Sequence, residues 1–337
     1  MTELFWPTNR RAFLKGSLAA GAAVALPFGS ALGASFPERN IQVYVPTREG
    51  GGADRNLRAF ADVWKKYLKT NFEGAYYPGG AGRVAYEKYM GLAKADCHEL
   101  IFGNLGPEVL NWVVEAPTFN LDDFLYFARV DEDPGIVFVK RDSKLQTIDD
   151  IVAEGKKRTL NVGVSRLAHP ATLGVLALGR HTGASFNPIP LSGGKNTRAG
   201  VETGEMDFGA LPAGGIANRP KNFKIVLAFT HKNPIPEKSD NAPTVNAHFG
   251  TNLPNLVAGA RGFGIKKEAI DKHPDRYKML TDTLLKVFDD PDYKTAVEKT
   301  GAPWELIGYG NPAECAAYAK DMMEIGREYK DLLTGKG

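Results

Sequence analysis

Cysteine is nearly absent from this chain of 337 residues: only Cys97 and Cys315 occur, and neither has a C-x-x-C companion. Thiolate metal centres and dithiol redox chemistry are therefore excluded, and two buried free thiols are the expectation. An excess of one charge is lacking too. Lys+Arg 42 against Asp+Glu 39 leaves a net charge of +3, and no basic run reaches five residues, so nucleic acid is not an expected partner. No apolar run approaches the ~20 residues that span a bilayer. There is no internal repeat. Nucleotide loops are incomplete: Gly50-Gly51-Gly52 places Arg55 where the third glycine of a dinucleotide fingerprint belongs, and Ser192-Gly193-Gly194-Lys195-Asn196 lacks the remainder of a phosphate loop. The six histidines form no H-x-x-x-H pair, and no G-x-S-x-G elbow is present. No metal, no cofactor and no catalytic constellation are thus expected.

What is present begins with an export signal. Arg10-Arg11-Ala12-Phe13-Leu14-Lys15 precedes a weakly apolar stretch over 18–26 and a small-residue exit at Ala31-Leu32-Gly33-Ala34. The paired arginines are similar to the twin-arginine signal, which carries folded cargo across the inner membrane. Residues 1–33 are expected to be removed, with Arg10, Arg11, Lys15 and Glu3, leaving a mature chain of charge +1 in the periplasm, soluble and monomeric.

Beyond the signal, strand and helix patterns alternate. Ile41–Val45 has the period of two and the β-branched content of a strand, and a helical stripe of Leu57, Phe60, Ala61, Trp64 and Leu68 follows from Asp54. Further strands are expected at 99–103, 125–130, 135–140, 160–164, 187–191, 208–211 and 224–228. Helices are expected at 84–90, 107–114, 147–153, 171–182 and 196–203, and three long ones over 274–289, 291–300 and 312–333. Alternation of this kind predicts an α/β architecture with parallel sheets. The count suits two sheets: a discontinuous first domain over 34–138 and 257–337, an inserted second domain over 139–256, and a hinge near 138–140 and 255–260. Ligands of such folds sit beyond the carboxyl ends of strands, in the cleft between domains.

Four Gly-rich turns lead from strands into helices, where unpaired N–H groups and the helix dipole favour an anion. They are Val45 to Asp54, Tyr77 to Gly82, Val162 to His169 and Pro190 to Gly194. Each glycine on its own equally suits a tight turn. Several facing turns would grip a small carboxylate from both sides.

The order of these motifs resembles the solute receptors of tripartite tricarboxylate transporters, the Bug family, over the whole mature chain. The motifs that carry it are Phe36-Pro37 with Ile41 to Pro46, Gly50-Gly51-Gly52-Ala53-Asp54, Pro78-Gly79-Gly80-Ala81-Gly82 and Asn120-Leu121-Asp122-Asp123-Phe124. Pro188 to Gly194, Gly204-Glu205-Met206-Asp207-Phe208 and Pro243-Thr244-Val245, followed by Gly259 and Gly262, complete them. The resemblance implies a periplasmic binding protein-like fold of type II, a Venus flytrap of two α/β domains joined by a hinge. Its function would be to capture a small organic carboxylate and deliver it to the membrane permease subunits, without catalysis. A cofactor-independent periplasmic enzyme using His169 or Asp54 as a base, and a sensor docking onto a histidine kinase, remain the alternatives. Carried over by position, the ligand-binding set is Gly51, Asp54, Gly80, Ala81, Ser165, Arg166, His169, Ser192, Gly193 and Asp207. Asp54 either caps its helix or touches ligand, Asp207 either accepts backbone N–H bonds or a ligand amine, and His169 either donates to a carboxylate or caps the next helix. Arg166 either pairs with a carboxylate or is a solvated loop residue. Two turns depart from the family pattern: Arg48-Glu49 and Arg166-Leu167 stand where small residues are usual.

Overall fold

The computed structural model describes residues 36–334; the expected export signal lies outside them. The strands, numbered in chain order, are β1 (Ile41–Val45), β2 (Phe72–Tyr76), β3 (Glu99–Asn104), β4 (Phe124–Asp131), β5 (Asp133–Lys140) and β6 (Leu160–Val164). They continue with β7 (Phe186–Pro190), β8 (Phe208–Pro212), β9 (Phe223–Ala228), β10 (Val257–Gly259), β11 (Arg261–Lys266) and β12 (Ile307–Gly310). One sheet has the order β12-β4-β11-β3-β1-β2; the other runs β10-β5-β8-β6-β7, with β9 also paired to β5.

Neither sheet is purely parallel, which corrects the expectation from alternation. β1 is parallel to β2 and β3, and β6 to β7 and β8, but β11 is antiparallel to β3 and β4, and β5 to β8 and β9. The cause is the way the chain changes sheets. β4 leaves the first sheet and one residue later, after Glu132, becomes β5 of the second; β10 returns to β11 across Ala260. A strand that enters a sheet from the facing sheet runs opposite to strands whose carboxyl ends point that way. The change of sheet therefore falls at Glu132 and Ala260. The expected break at 138/139 lies inside β5, and the expected return at 256/257 precedes β10. The sequence obscures this because Asp133-Pro134-Gly135 has the composition of a turn, yet it is held as strand: Gly135 N–H donates to Leu256 O at 3.1 Å.

Each sheet is covered on both faces. Helix Gly52–Leu68 lays Leu57, Phe60, Val63, Trp64 and Leu68 on one face of the first sheet, against Val43, Phe102 and Phe263, and Lys69 ends it in the left-handed conformation (φ 60°). The other face meets helices Arg83–Leu92, Leu105–Val114 and Pro312–Glu328 through Tyr86, Tyr89, Leu110 and Met322; this apolar layer continues into the second sheet through Val257, Val137 and Val164. A smaller core around Phe138, Leu211 and Ile225 fills the far side of the second sheet. Cys97 and Cys315 are both buried free thiols. The architecture is α/β, two sheet-centred lobes with the loops at the carboxyl ends of β1, β2, β6 and β7 turned to one cleft.

Candidate ligand cleft

The first turn is shaped by Asp54. Its buried carboxylate accepts from Gly50 N–H at 2.7 Å and from Arg58 Nε at 2.8 Å, and from the Tyr76 hydroxyl. Burial alone would raise its pKa, but the Tyr76, Gly50 and Arg58 hydrogen bonds outweigh it and hold the group below the ordinary carboxylate value. Asp54 thus ties the loop to its helix and to β2. Gly51 opens the helix in extended conformation, and Gly50 takes φ +74°.

The second turn contains four consecutive residues with positive φ, Gly79 (134°), Gly80 (51°), Ala81 (52°) and Gly82 (108°). Ala81 alone carries a side chain there, at a cost of about 1–2 kcal/mol. Asn111 Nδ2 fixes the turn from below by donating to Gly80 O at 3.1 Å. A Cβ on Gly82 would lie 3.0 Å from Glu108 Oε1 and 3.4 Å from Pro46 Cβ, so the first and second turns and helix Leu105–Val114 meet at this glycine.

In the second lobe, Gly193 N–H donates to Ser165 O at 3.2 Å, joining the third turn to the fourth; Ser192 and Gly193 both have positive φ. His169 caps helix Pro170–Thr182, its Nδ1 accepting from Ala171 N–H at 3.2 Å. That bond places the ring proton on Nε2, and burial, followed by the positive charges of Arg166 and Arg261, pushes the pKa well down and keeps the ring neutral. Both sequence-level roles are therefore compatible: Nδ1 caps, and Nε2–H remains a donor.

Arg166 crosses the cleft. Its Nη1 donates to Ala81 O at 2.6 Å and stands 3.9 Å from Glu108 Oε1. Glu108, absent from the set expected from sequence, is 1% exposed, and among the described residues neither carboxyl oxygen has a well-aligned donor. Burial pushes its pKa up to about 7, against the pull of Arg166 and the backbone N–H groups of the helix start. The signal in the sequence was its isolation: it is the one charged residue in LGPEVLNWVV, one position after Pro107. The Ser165 and Thr47 hydroxyl oxygens are also buried without a partner among the described residues.

Gly51, Gly80, Ala81, Ser165, Arg166, His169, Ser192 and Gly193 thus lie on the four turns at the carboxyl ends of β1, β2, β6 and β7. Asp207 does not. It precedes β8, where its backbone N–H donates to Asn161 O and its carboxylate accepts from Arg158 Nη2 at 2.7 Å and Asn161 N–H at 2.8 Å. Since β6 and β8 are parallel, Asp207 and Asn161 mark the amino ends of those strands, a full strand length from Ser165. Its carboxylate joins the amino ends of β6 and β8, away from the four turns. Among the described residues no cluster of His, Cys, Asp and Glu has the makings of a metal site, and no helix is long and apolar enough to cross a membrane.

Residues 7–27 match the sequence model of the twin-arginine translocation pathway signal. The chain carries a twin-arginine export signal. No curated protein matches the sequence. Solved structures do match its fold. A TctC solute-binding protein from Polaromonas superposes with a TM-score of 0.69 at 20% identity, covering 90% of this chain and 100% of that one. MatC from Rhodopseudomonas palustris with bound malate gives 0.65 at 19% identity, over 88% and 100% of the two chains. The periplasmic binding protein BugD gives 0.70 at 16% identity, over 88% and 98%. The fold is that of a periplasmic binding protein. The two-lobed α/β architecture implied by the motif order is therefore present, on a chain addressed to the periplasm.

Proposed function

We propose that the protein is a periplasmic solute receptor of the tripartite tricarboxylate transporter type, which binds a small organic carboxylate and hands it unchanged to membrane permease subunits. It would act as a monomer of two domains, one built on the first sheet and one on residues 133–259. The observation that carries this reading is the convergence of turns from both lobes, with Arg166 of one lobe bonded to Ala81 O of the other. A carboxylate entering between them meets Arg166, the Nε2–H of His169 and the N–H groups around Gly51, Gly80 and Gly193, with no activated nucleophile or metal required. The malate bound to MatC and the adipate bound to a second structural neighbour from R. palustris support a carboxylate as the cargo.

A thermal-shift panel of carboxylates, followed by calorimetry on the best, tests the proposal. Stabilisation of ~2.7 kcal/mol is expected at a hundredfold excess over Kd, with the acid recovered unaltered. Arg166→Ala is expected to weaken that acid ten- to a hundredfold, the value of one or more charge-assisted hydrogen bonds. Lys156→Ala, on the surface, should stay within about twofold. Conversion of the acid on incubation would refute the receptor reading, and equal affinity of the Arg166 variant at unchanged stability would return ligand capture to backbone groups.

A further inference from the structure

A cavity of about 310 Å³ lies beside the turns, lined among others by Gly52, Arg55, Asp133, Arg198, Arg219 and Arg261. Two of its neighbours are spent on one arginine. Arg261 pairs with Asp131, which also accepts from its backbone N–H at 2.7 Å, and Asp133 stands 3.7 Å from Arg261 while accepting from Gly214 N–H at 2.8 Å. Among the described residues Arg55, Arg198 and Arg219 have no carboxylate within ion-pair distance. Among the described residues Arg55 donates only to Gly50 O, and Arg219 to Gly215 O and Asn218 Oδ1, each leaving N–H groups over, while Arg198 makes no hydrogen bond or ion pair. Glu202, one turn along from Arg198, accepts from Asn222. Burial and the like charges of Arg219 and Arg55 push Arg198 down to about 10, still charged at neutral pH.

Four guanidinium groups against the two carboxylates of Asp131 and Asp133 leave a local surplus of two positive charges. We propose that this pocket binds a doubly charged tetrahedral oxyanion group (phosphoryl, phosphonyl or sulfate) through Arg55, Arg198 and Arg219. The three arginines come from different elements: helix Gly52–Leu68, helix Gly194–Glu202 and the segment after helix Gly214–Ala217. A tetrahedral group offers each of them an oxygen and cancels the surplus. A single carboxylate offers two oxygens and half the charge. Gly52 and Gly215 let guanidinium groups lie on the backbone: a Cβ there would be 3.4 Å from Arg261 Nη2 and 3.3 Å from Arg198 Nη1. The start of the 17-residue helix adds its N–H groups on the same side. Arg55 and Glu108 sit on helices that cover opposite faces of the first sheet, and none of the three arginines belongs to the carboxylate reading, although both sites draw on the start of helix Gly52–Leu68.

Calorimetry and ³¹P line broadening on the mature protein, in buffer free of phosphate and sulfate, supply the test. Inorganic phosphate, sulfate and phenylphosphonate are titrated at matched ionic strength beside acetate and succinate. Phosphate and sulfate are expected to bind at least tenfold more tightly than acetate. Arg198→Gln and, separately, Arg219→Gln should each lose tenfold or more at unchanged melting temperature, whereas Lys156→Gln, on the exposed surface, should retain the affinity. Phosphate and sulfate no tighter than acetate, or undiminished in both pocket variants, would overturn the proposal; succinate binding as tightly as phosphate would overturn the tetrahedral assignment. Carboxylate capture is decided by its own panel, so failure of one leaves the other standing.

Discussion

Glu108 carries a carboxyl group buried where a charge is expensive and only partly offset by Arg166, and the sign of its effect on stability follows. In the unfolded chain it loses its proton near the ordinary carboxylate pKa, and in the folded protein only near 7. Between those values the unfolded state binds fewer protons, so stability falls as pH rises from about 4.5 to 7 and then levels. Glu108→Gln keeps the shape and removes the charge. It should match the native protein near pH 4.5 and exceed it above pH 7 by up to about 3 kcal/mol, read from urea unfolding at both pH values. An unchanged difference across that range would mean that Arg166 compensates the charge fully. At this scale the sequence was informative where a residue's job is local. Asp54 beside its helix and His169 before Pro170 could be weighed as caps from spacing alone, because capping partners lie within four residues. Glu108 and the destination of Arg166 were not legible, since both depend on Ala81 and Gly82 being delivered from elsewhere in the chain.

Helix Pro312–Glu328 shows how firmly one element is specified. Asn311 Oδ1 accepts from Ala313 and Glu314 N–H, Glu314 Oε2 accepts from Asn311 N–H, and Pro312 fills the first helical position. Asn311→Ala should cost about 1 kcal/mol in equilibrium unfolding, within the range for a lost cap, and leave ligand affinity unchanged because the cap's partners, Ala313 and Glu314, belong to none of the four turns. Element existence was readable from apolar period and caps for β1, β3 to β9 and the helices expected over 274–289 and 171–182, whereas β2, β10, β11 and β12, each of six residues or fewer, were not foreseen. Strand direction and sheet membership were not. β4 and β5 are separated by one residue, and nothing in Asp131-Glu132-Asp133 announces that the hydrogen-bonding partners change from β11 and β12 to β8 and β9. Gly135 explains the choice physically: a Cβ there would lie 3.0 Å from Leu256 O and 3.3 Å from Ala171 Cα, so the second lobe closes over a position only glycine leaves open.

At the scale of the molecule, the strand crossings at Glu132 and Ala260 lie beside a third link. Glu132 N–H donates to Leu306 O at 2.8 Å, Asn218 Nδ2 donates to Gly301 O, and Lys238 pairs with Glu305. Short crossings of this kind suit rotation of one lobe on the other. Addition of a bound acid should reduce the radius of gyration in solution scattering, and an unchanged radius at saturation would count against closure. The same connectivity has a bearing on when the protein can leave the cytoplasm. β11, the strand that bridges β4 to β3, is supplied by residues 261–266, and β12, which completes the sheet, by 307–310. A ribosome that has released the first 250 residues has therefore delivered a sheet still missing a middle strand, with unpaired edges on either side of the gap. An export route that accepts finished cargo waits for that gap to close. The last-made part of the chain thus acts as a certificate of completion, and the address at the front is honoured only after the back of the chain has been written.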